Sequence, residues 1–180
     1  SQYTSQPPTF YVTASRGCPY QCTFCDVRSI WQSYRLRDPE RVLKEIEFYI
    51  RTYNARKFLF TDSLLNGNMA HYRALLTGLS RLRQTLAPDL AWDGFCVVAP
   101  TGKMSDEDFL LLKSSGCERI KIGVESGSPA VRRHMRKLYD SRDLDDFLQK
   151  SAQARVGVDF MLMVGYPTET LADFQMTKDL

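Results

Sequence analysis

Hydrophobic and polar residues follow two recurring patterns along the chain. Five segments are rich in β-branched and aromatic residues, which are typical of strands, and we predict strands over 10–14, 57–61, 90–96, 119–125 and 158–164. Between them, apolar residues recur every three or four positions, as in Val42, Leu43, Ile46 and Ile50, which is typical of amphipathic helices. The chain is therefore predicted to alternate between strands and helices.

Capping residues predict where several helices begin. Asp38 precedes Pro39, a pairing that suits an N-cap and a first helical position. Ser105 and Asp108 have the spacing of a capping box. Thr170 is the corresponding capping residue at the start of the last predicted helix. Strands that alternate with helices form a parallel sheet with right-handed crossovers, so we predict an α/β fold with about five βα units.

Polar and small residues follow the ends of the predicted strands. Three cysteines come after the first strand, Asp62 after the second, Glu125 and Ser126 at the end of the fourth, and Gly165 after the fifth. Because functional residues of parallel α/β folds gather at the carboxyl ends of the strands, we expect these residues to share one site.

The three cysteines, Cys18, Cys22 and Cys25, have the spacing C-x3-C-x2-C. Closely spaced thiolates can bind a soft metal, and iron–sulfur clusters are held by cysteine sulfur in this way. Three ligands would leave one iron of a four-iron cluster open to a substrate or cofactor. The alternatives are a structural zinc site, with a fourth sulfur from Cys96 or Cys117, and free thiols without metal.

Composition narrows the class of protein. The 180 residues are 43% hydrophobic and 25% charged, which suits one globular domain. The net charge of +3 does not indicate nucleic-acid binding, and no apolar run is long enough for a membrane span. Five cysteines without a secretory signal indicate reduced thiols and a cytoplasmic protein. The chain begins without Met and ends within a helical pattern, so we expect a piece of a longer protein.

The cysteine motif resembles that of the radical S-adenosylmethionine (radical SAM) enzymes. Phe24 stands directly before the third cysteine, as an aromatic residue does in that family, and the motif follows the first strand. The segments 123–128 (GVESGS) and 160–169 (FMLMVGYPTE) resemble the fourth- and fifth-strand motifs of the same family. The resemblance extends over about residues 10–175.

The resemblance implies both a fold and an activity. The fold would be a partial (βα)6 TIM-like barrel, with residues 1–180 as its core domain and a sixth strand beyond Leu180. The three cysteines would hold a 4Fe-4S cluster whose open iron binds S-adenosylmethionine. Reductive cleavage of that cofactor yields a 5′-deoxyadenosyl radical, which abstracts hydrogen from a substrate that the sequence does not identify. Such a site is oxygen-sensitive and needs an electron donor similar to flavodoxin or ferredoxin.

The resemblance also implies roles for single residues. Phe24 would pack against the adenine, and Glu125, helped by Ser126, would bind the ribose hydroxyls. An ion pair between Glu125 and Lys121 is the alternative. Lys137 would pair with the methionine carboxylate of the cofactor, with Arg136 as the alternative, and Gly165 would allow the backbone to approach the adenine.

One segment departs from the usual family pattern. Where many members have Gly-Gly-Glu after the second strand, this chain has residues 61–66, TDSLLN. That form is similar to the subgroup with an upstream cobalamin-binding domain, so cobalamin and a cobalamin-dependent methylation or rearrangement are implied through a domain outside this chain. Asp62 would then contact the cofactor's amino group, or else cap the following loop. The functional alternatives are an iron–sulfur electron-transfer module and a zinc-stapled binding domain.

Overall fold

The computed structural model of the chain describes residues 8–180. Its strands are Thr9–Val12 (β1), Ser15–Arg16 (β2), Arg35–Leu36 (β3), Lys57–Phe60 (β4), Ala91–Cys96 (β5), Cys117–Glu125 (β6) and Gly157–Leu162 (β7). Its helices are Val27–Ile30 (α1), Pro39–Tyr53 (α2), Met69–Thr85 (α3), Asp106–Ser114 (α4), Pro129–His134 (α5), Ser141–Gln153 (α6) and Leu171–Lys178 (α7).

The main sheet contains five parallel strands in the order β1-β4-β5-β6-β7. These are the five predicted strands, and the predicted alternation with helices is confirmed. Each strand of this sheet lies beside the strand of the same sheet that precedes it in the chain. Their carboxyl ends consequently meet at one edge of the sheet, where the predicted site residues are located.

A small second sheet was not predicted. The first predicted strand ends at Val12 rather than at residue 14, because the chain turns there into β2, which pairs antiparallel with β3. In this pair Ser15 lies opposite Leu36, and Arg16 lies opposite Arg35. Strands of two residues are too short to show a hydrophobic period, so the sequence pattern could not reveal them.

The predicted helix starts are confirmed by their hydrogen bonds. The Asp38 carboxylate accepts a hydrogen bond from the Glu40 N–H at 2.9 Å, and Pro39 is the first residue of α2. Ser105 with Asp108 opens α4 with a capping box, and Thr170 does the same for α7. Each cap satisfies backbone N–H groups that have no partner within the helix.

The core lies between the main sheet and the helices. Alternate strand residues such as Phe58, Phe60, Trp92 and Ile122 are at most 1% exposed and pack in one cluster with apolar residues of α2, α3, α4 and α6. The intervening strand residues, Lys121 among them, are only partly buried, which leaves the opposite face of the sheet for a site. Within residues 8–180, no helix combines the length and apolar character that a membrane crossing requires.

Candidate cofactor site

A cavity of about 310 Å³ lies at the carboxyl ends of the strands. All three cysteines of the C-x3-C-x2-C motif line it, together with Phe24, Glu125, Arg136 and Lys137. The rest of the wall is mainly apolar and comes from several separate segments, among them Tyr20, Leu64, Phe95, Val97, Leu138 and Met161. The sequence did not reveal these wall residues, because their apolar side chains look the same as ordinary core residues.

The cysteines sit on the loop between β2 and α1. Cys18 and Cys22 are half-buried and Cys25 is exposed, while the Cys25 N–H donates a hydrogen bond to the Cys22 carbonyl at 3.3 Å. All five cysteines of the chain are free thiols. Within the described residues, no group of three His, Cys, Asp or Glu side chains is gathered around a common point. The three thiols nevertheless line the same cavity and come from a single loop.

This donor set fits an iron–sulfur cluster better than a zinc site. The loop supplies three sulfurs and no histidine, which is the kind of ligand that iron–sulfur clusters use. A zinc site would need a fourth ligand. Cys96 also lines the cavity, but it is only 4% exposed, its sulfur lies 3.4 Å from the Tyr72 hydroxyl, and burial raises its pKa to about 12. Cys117 is buried at the start of β6, the end of that strand away from the cavity.

Backbone contacts hold the cysteine loop at both ends. Gly17 has a φ of 83°, and a Cβ at this position would lie 2.5 Å from the Ser33 carbonyl oxygen, so only glycine fits. At the other end, the Thr23 N–H donates to the Met135 carbonyl at 3.1 Å, and the Thr23 hydroxyl contacts the Tyr166 hydroxyl at 2.9 Å. The loop thereby lies against the segment before β3 and is hydrogen-bonded to the end of α5 and to the segment after β7.

Asp62 lies beneath this loop and not in the cavity wall. Its side chain is buried, with one carboxylate oxygen accepting from the Ala14 N–H at 3.0 Å and the other from the Ser15 hydroxyl. Burial raises the pKa of Asp62, and these hydrogen bonds act in the opposite direction. The structure therefore uses Asp62 to hold the turn between β1 and β2, directly before the cysteines.

Glu125 and Lys137 form a largely buried ion pair in the cavity wall. The Lys137 ammonium lies 2.8 Å from a Glu125 carboxylate oxygen, and the side chains are only 8% and 12% exposed respectively. The same ammonium donates to the Gly123 carbonyl at 2.9 Å and lies 5.4 Å from the centre of the Phe24 ring. The structure therefore brings the predicted Glu125, Lys137 and Phe24 together in one group.

The alternative prediction, an ion pair between Glu125 and Lys121, is wrong. The two residues lie four positions apart in β6, which separates their backbones by about 13 Å. Lys121 instead places its ammonium 5.7 Å from the Phe95 ring centre. Glu125 also has a φ of 68°, an uncommon conformation for a residue other than glycine, and its pairing with β7 shifts register at this point.

Lys137 also affects the thiols. Burial raises the pKa of Cys18 and of Cys22, and the nearby Lys137 ammonium acts to lower both values. The charge of Cys25 acts in the opposite direction and raises the pKa of Cys18 and of Cys22. The Lys137 ammonium is therefore positioned between a carboxylate, an aromatic ring and the sulfur donors.

Ser126 and Gly165 lie outside the cavity wall. Ser126 is fully buried; its hydroxyl accepts from the Ser128 N–H at 3.1 Å and lies 3.2 Å from the Thr177 hydroxyl, so it connects the end of β6 to α7. Gly165 follows β7 in an exposed turn with a φ of 83°, and its N–H donates to Glu169 at 2.7 Å. In this structure both residues shape the backbone next to the site.

One supporting residue was missed by the sequence analysis. Arg132 is 2% exposed, and its guanidinium donates to the Ser126 carbonyl at 3.0 Å, to the Gly127 carbonyl at 3.2 Å and to the Ser141 hydroxyl at 2.6 Å. The Arg132 guanidinium thereby holds the backbone that follows Glu125 in place. In the sequence Arg132 is one member of a basic run, which gave no sign that this arginine points inward.

Comparison with protein families now identifies the group to which the chain belongs. Residues 12–180 match the model of the Radical SAM superfamily, which covers nearly the whole chain. The chain belongs to the radical SAM superfamily. The family predicted from the cysteine motif is therefore confirmed.

Two curated relatives match this chain at moderate sequence identity. The anaerobic magnesium-protoporphyrin IX monomethyl ester cyclase of Synechocystis sp. is 28% identical over 68% of this chain and 24% of its own length. A tRNA-2-methylthio-N(6)-dimethylallyladenosine synthase of Saccharopolyspora erythraea is 26% identical over 94% of this chain and 35% of its own length. The chain thus spans about a quarter to a third of these relatives.

Two solved structures show the same fold. The radical S-adenosylmethionine methyltransferase TsrM of Kitasatospora setae, determined with cobalamin and a [4Fe-4S] cluster, has a TM-score of 0.85 and 20% identity over 96% of this chain and 34% of its own. The cobalamin-dependent S-adenosylmethionine radical enzyme OxsB has a TM-score of 0.75 and 21% identity over 94% of this chain and 26% of its own. The predicted α/β, partial TIM-like barrel is thereby confirmed.

Proposed function

We propose that this chain is the core of an enzyme that cleaves S-adenosylmethionine reductively. One observation carries the proposal: the three thiols of a single loop and the Glu125–Lys137 pair line the same cavity. Cys18, Cys22 and Cys25 would hold a 4Fe-4S cluster, which would supply one electron to break the S–C5′ bond of S-adenosylmethionine; methionine and a 5′-deoxyadenosyl radical would result, and the radical would remove hydrogen from the substrate. The protein's own residues bind and orient these groups and exclude water from them.

The residues of the cavity divide into three proposed roles. Cys18, Cys22 and Cys25 bind the 4Fe-4S cluster through sulfur and leave one iron for the cofactor. Glu125 accepts hydrogen bonds from the ribose hydroxyls, and Lys137 binds the methionine carboxylate. Their ion pair holds both charged groups in fixed positions at the cavity wall, where the cofactor would contact them.

Four further residues support this arrangement. Phe24 presents its ring to the cavity and would cover the adenine. Ser126 holds the backbone that follows Glu125, while Gly165 keeps a side chain out of the turn after β7. We assign Asp62 to the support of the cysteine loop, since both of its oxygens already accept hydrogen bonds there.

The alternative functions lack this combination. An electron-transfer module needs the sulfur ligands but has no use for a paired carboxylate and ammonium in the same cavity. A zinc-stapled domain needs a fourth ligand that the loop does not offer. Membership of the radical SAM superfamily favours the enzyme over both alternatives.

Further parts of the proposal concern the whole protein. We propose a cytoplasmic, oxygen-sensitive enzyme with residues 1–180 as its radical SAM core, an electron donor similar to flavodoxin or ferredoxin, and an unidentified substrate. Cobalamin is proposed as a second cofactor, bound by a domain outside this chain. Support comes from the fold shared with two cobalamin-dependent enzymes and from the sequence of residues 61–66.

Anaerobic reconstitution with iron and sulfide tests the proposal. We expect about four irons per chain, a brown protein with broad absorbance near 400 nm by general cluster chemistry, and an EPR signal that changes when S-adenosylmethionine is added. With dithionite as reductant, 5′-deoxyadenosine should form. Cys22→Ala should lose the cluster, whereas Cys117→Ala, which removes a buried thiol away from the cavity, should keep it. A reducible cluster indifferent to S-adenosylmethionine, or a colourless zinc protein, would contradict the proposal.

A further inference from the structure

A positively charged surface lies beside the cysteine loop, and we name its four residues, Arg16, Arg28, Trp31 and Arg35, the arginine patch. Arg16 and Arg35 stand directly opposite each other in the β2–β3 pair. Their guanidinium carbons lie 5.4 Å and 5.6 Å from the centre of the Trp31 ring. Arg28 is exposed on α1, and Trp31 is the residue directly after that helix.

The charge of the arginine patch is not balanced by an ion pair within residues 8–180. Like charges directly opposite each other destabilise a strand pair, and Trp31 offsets part of that cost through cation–π contacts. None of the three arginines forms an ion pair with another described residue. Asp26 is the sole acidic residue between positions 15 and 36. The patch therefore presents exposed positive charge to an anionic partner.

The arginine patch and the cysteine loop are adjacent in sequence and in space. Gly17 alone separates Arg16 from Cys18, and a Cβ on Gly17 would lie 3.2 Å from the Trp31 side chain. The surface groove at the patch contains Ser15, Arg16 and Trp31 and shares only Ser63 with the cofactor cavity. A partner bound to the patch would thus lie next to the sulfur ligands and share only Ser63 with the cavity wall.

We infer that the arginine patch docks the acidic redox protein that reduces the cluster. This inference rests on the proposed function. In the step, a reduced flavoprotein or iron–sulfur protein gives one electron to the oxidised cluster and is itself oxidised by one electron, and no covalent bond is made or broken. Arginine and tryptophan are enriched at protein interfaces, and complementary charge accelerates the encounter of small, transient redox complexes.

A nucleic acid is the competing anionic partner, and the structure favours the redox protein. Three arginines on one small surface give few phosphate contacts, and the chain's net charge is only +3. The position next to the sulfur ligands suits electron delivery, which requires closeness to the cluster. Binding of tRNA is therefore included as an outcome of the test.

The test compares Arg16→Glu/Arg35→Glu with Arg81→Glu, which reverses an exposed charge on α3 away from the patch. Binding of purified flavodoxin is measured by calorimetry at about 50 and about 300 mM salt, with and without the cluster. Reduction of the cluster is followed by stopped flow, with flavodoxin hydroquinone or dithionite as reductant. We expect the double variant to weaken flavodoxin binding about tenfold or more and to slow reduction by flavodoxin in proportion. Reduction by dithionite should not change.

Three controls complete the test. Arg81→Glu should change flavodoxin binding less than about twofold, and high salt should weaken the binding of the wild-type protein. Arg28→Glu, which leaves the strand pair intact, should weaken binding about threefold and replaces the double variant if that variant does not fold. Wild-type affinity in both patch variants, an equal effect of Arg81→Glu, no flavodoxin binding by the wild type, or a specific loss of tRNA binding would overturn the inference. If dithionite yields no 5′-deoxyadenosine, the proposed function fails instead.

Discussion

Glu125 and Lys137 show how much a single pair contributes to this site. Both side chains are nearly buried, so their mutual attraction is opposed by the loss of hydration of two charges. The ammonium also binds the Gly123 carbonyl and faces Phe24, which leaves it well satisfied. The pair is therefore more a device for holding two functional groups in place than a source of net stability.

Replacing only Lys137 should destabilise the fold. Lys137→Met leaves the largely buried Glu125 carboxylate without its partner, and we expect a loss of about 1–3 kcal/mol in the free energy of unfolding. Lys137→Met/Glu125→Leu should recover most of that loss, because no unpaired charge remains. Urea unfolding under anaerobic conditions measures both. Arg51→Met, which breaks the exposed pair with Glu47, is the control and should cost less than about 1 kcal/mol. A double variant as unstable as the single one would contradict this account.

At the scale of elements, α7 is fastened to the end of β6 by polar contacts. The Asp173 carboxylate accepts from the Thr170 N–H at 2.9 Å, from the Thr170 hydroxyl at 2.6 Å and from the Ser128 hydroxyl, which itself caps α5. Ser126 adds its contact with Thr177. The helix thus supports the backbone that carries Glu125.

These hydrogen bonds give α7 a pH dependence that can be measured. The Ser128 and Thr170 hydrogen bonds lower the pKa of Asp173 from 3.8 to about 2. Because the folded state binds the proton less tightly than the unfolded state, the contribution to stability is complete above about pH 4 and is lost as the pH falls towards 2. Asp173→Asn should therefore be less stable than wild type at pH 7, and the difference should shrink between pH 4 and 2 in urea titrations.

Asp179→Asn provides the matched control for this prediction. Asp179 lies at the end of the same helix and its side chain accepts a hydrogen bond from Gln175 at 2.7 Å, with no side-chain hydrogen bond to another element among residues 8–180. Its substitution should change stability little at either pH. A pH-independent difference for Asp173→Asn would show that the side chain's shape matters more than its charge.

At the scale of the whole molecule, the last strand of the main sheet is partly uncovered. Within residues 8–180, β7 pairs on one side only, with β6. Met161, Leu162 and Val164 are between 45% and 63% exposed. An exposed apolar edge strand can pair with another chain.

We therefore expect the isolated chain to self-associate as its concentration rises, measured by sedimentation velocity. Leu162→Glu should shift it towards the monomer, because a charge at the edge opposes strand pairing. Leu110→Glu is the control, since Leu110 is 61% exposed on α4, away from the edge. A chain that stays monomeric, or an equal effect of both substitutions, would contradict this prediction.

The order of strands and helices could be predicted from the sequence because its causes are local. The period of apolar residues and the capping residues Asp38, Ser105 and Thr170 act within a few positions of the chain. The spacing of Cys18, Cys22 and Cys25 likewise identified the sulfur loop and, by resemblance, the superfamily.

Tertiary structure alone decided which distant residues meet. Lys121 is nearer to Glu125 in sequence, but an extended strand keeps them about 13 Å apart, whereas the turn after α5 returns Lys137 to Glu125. Asp62 resembled a ligand by its place after a strand, yet the buried turn at Ala14 and Ser15 takes both of its oxygens. Local sequence determines which elements form, while their packing determines which polar groups reach the cavity.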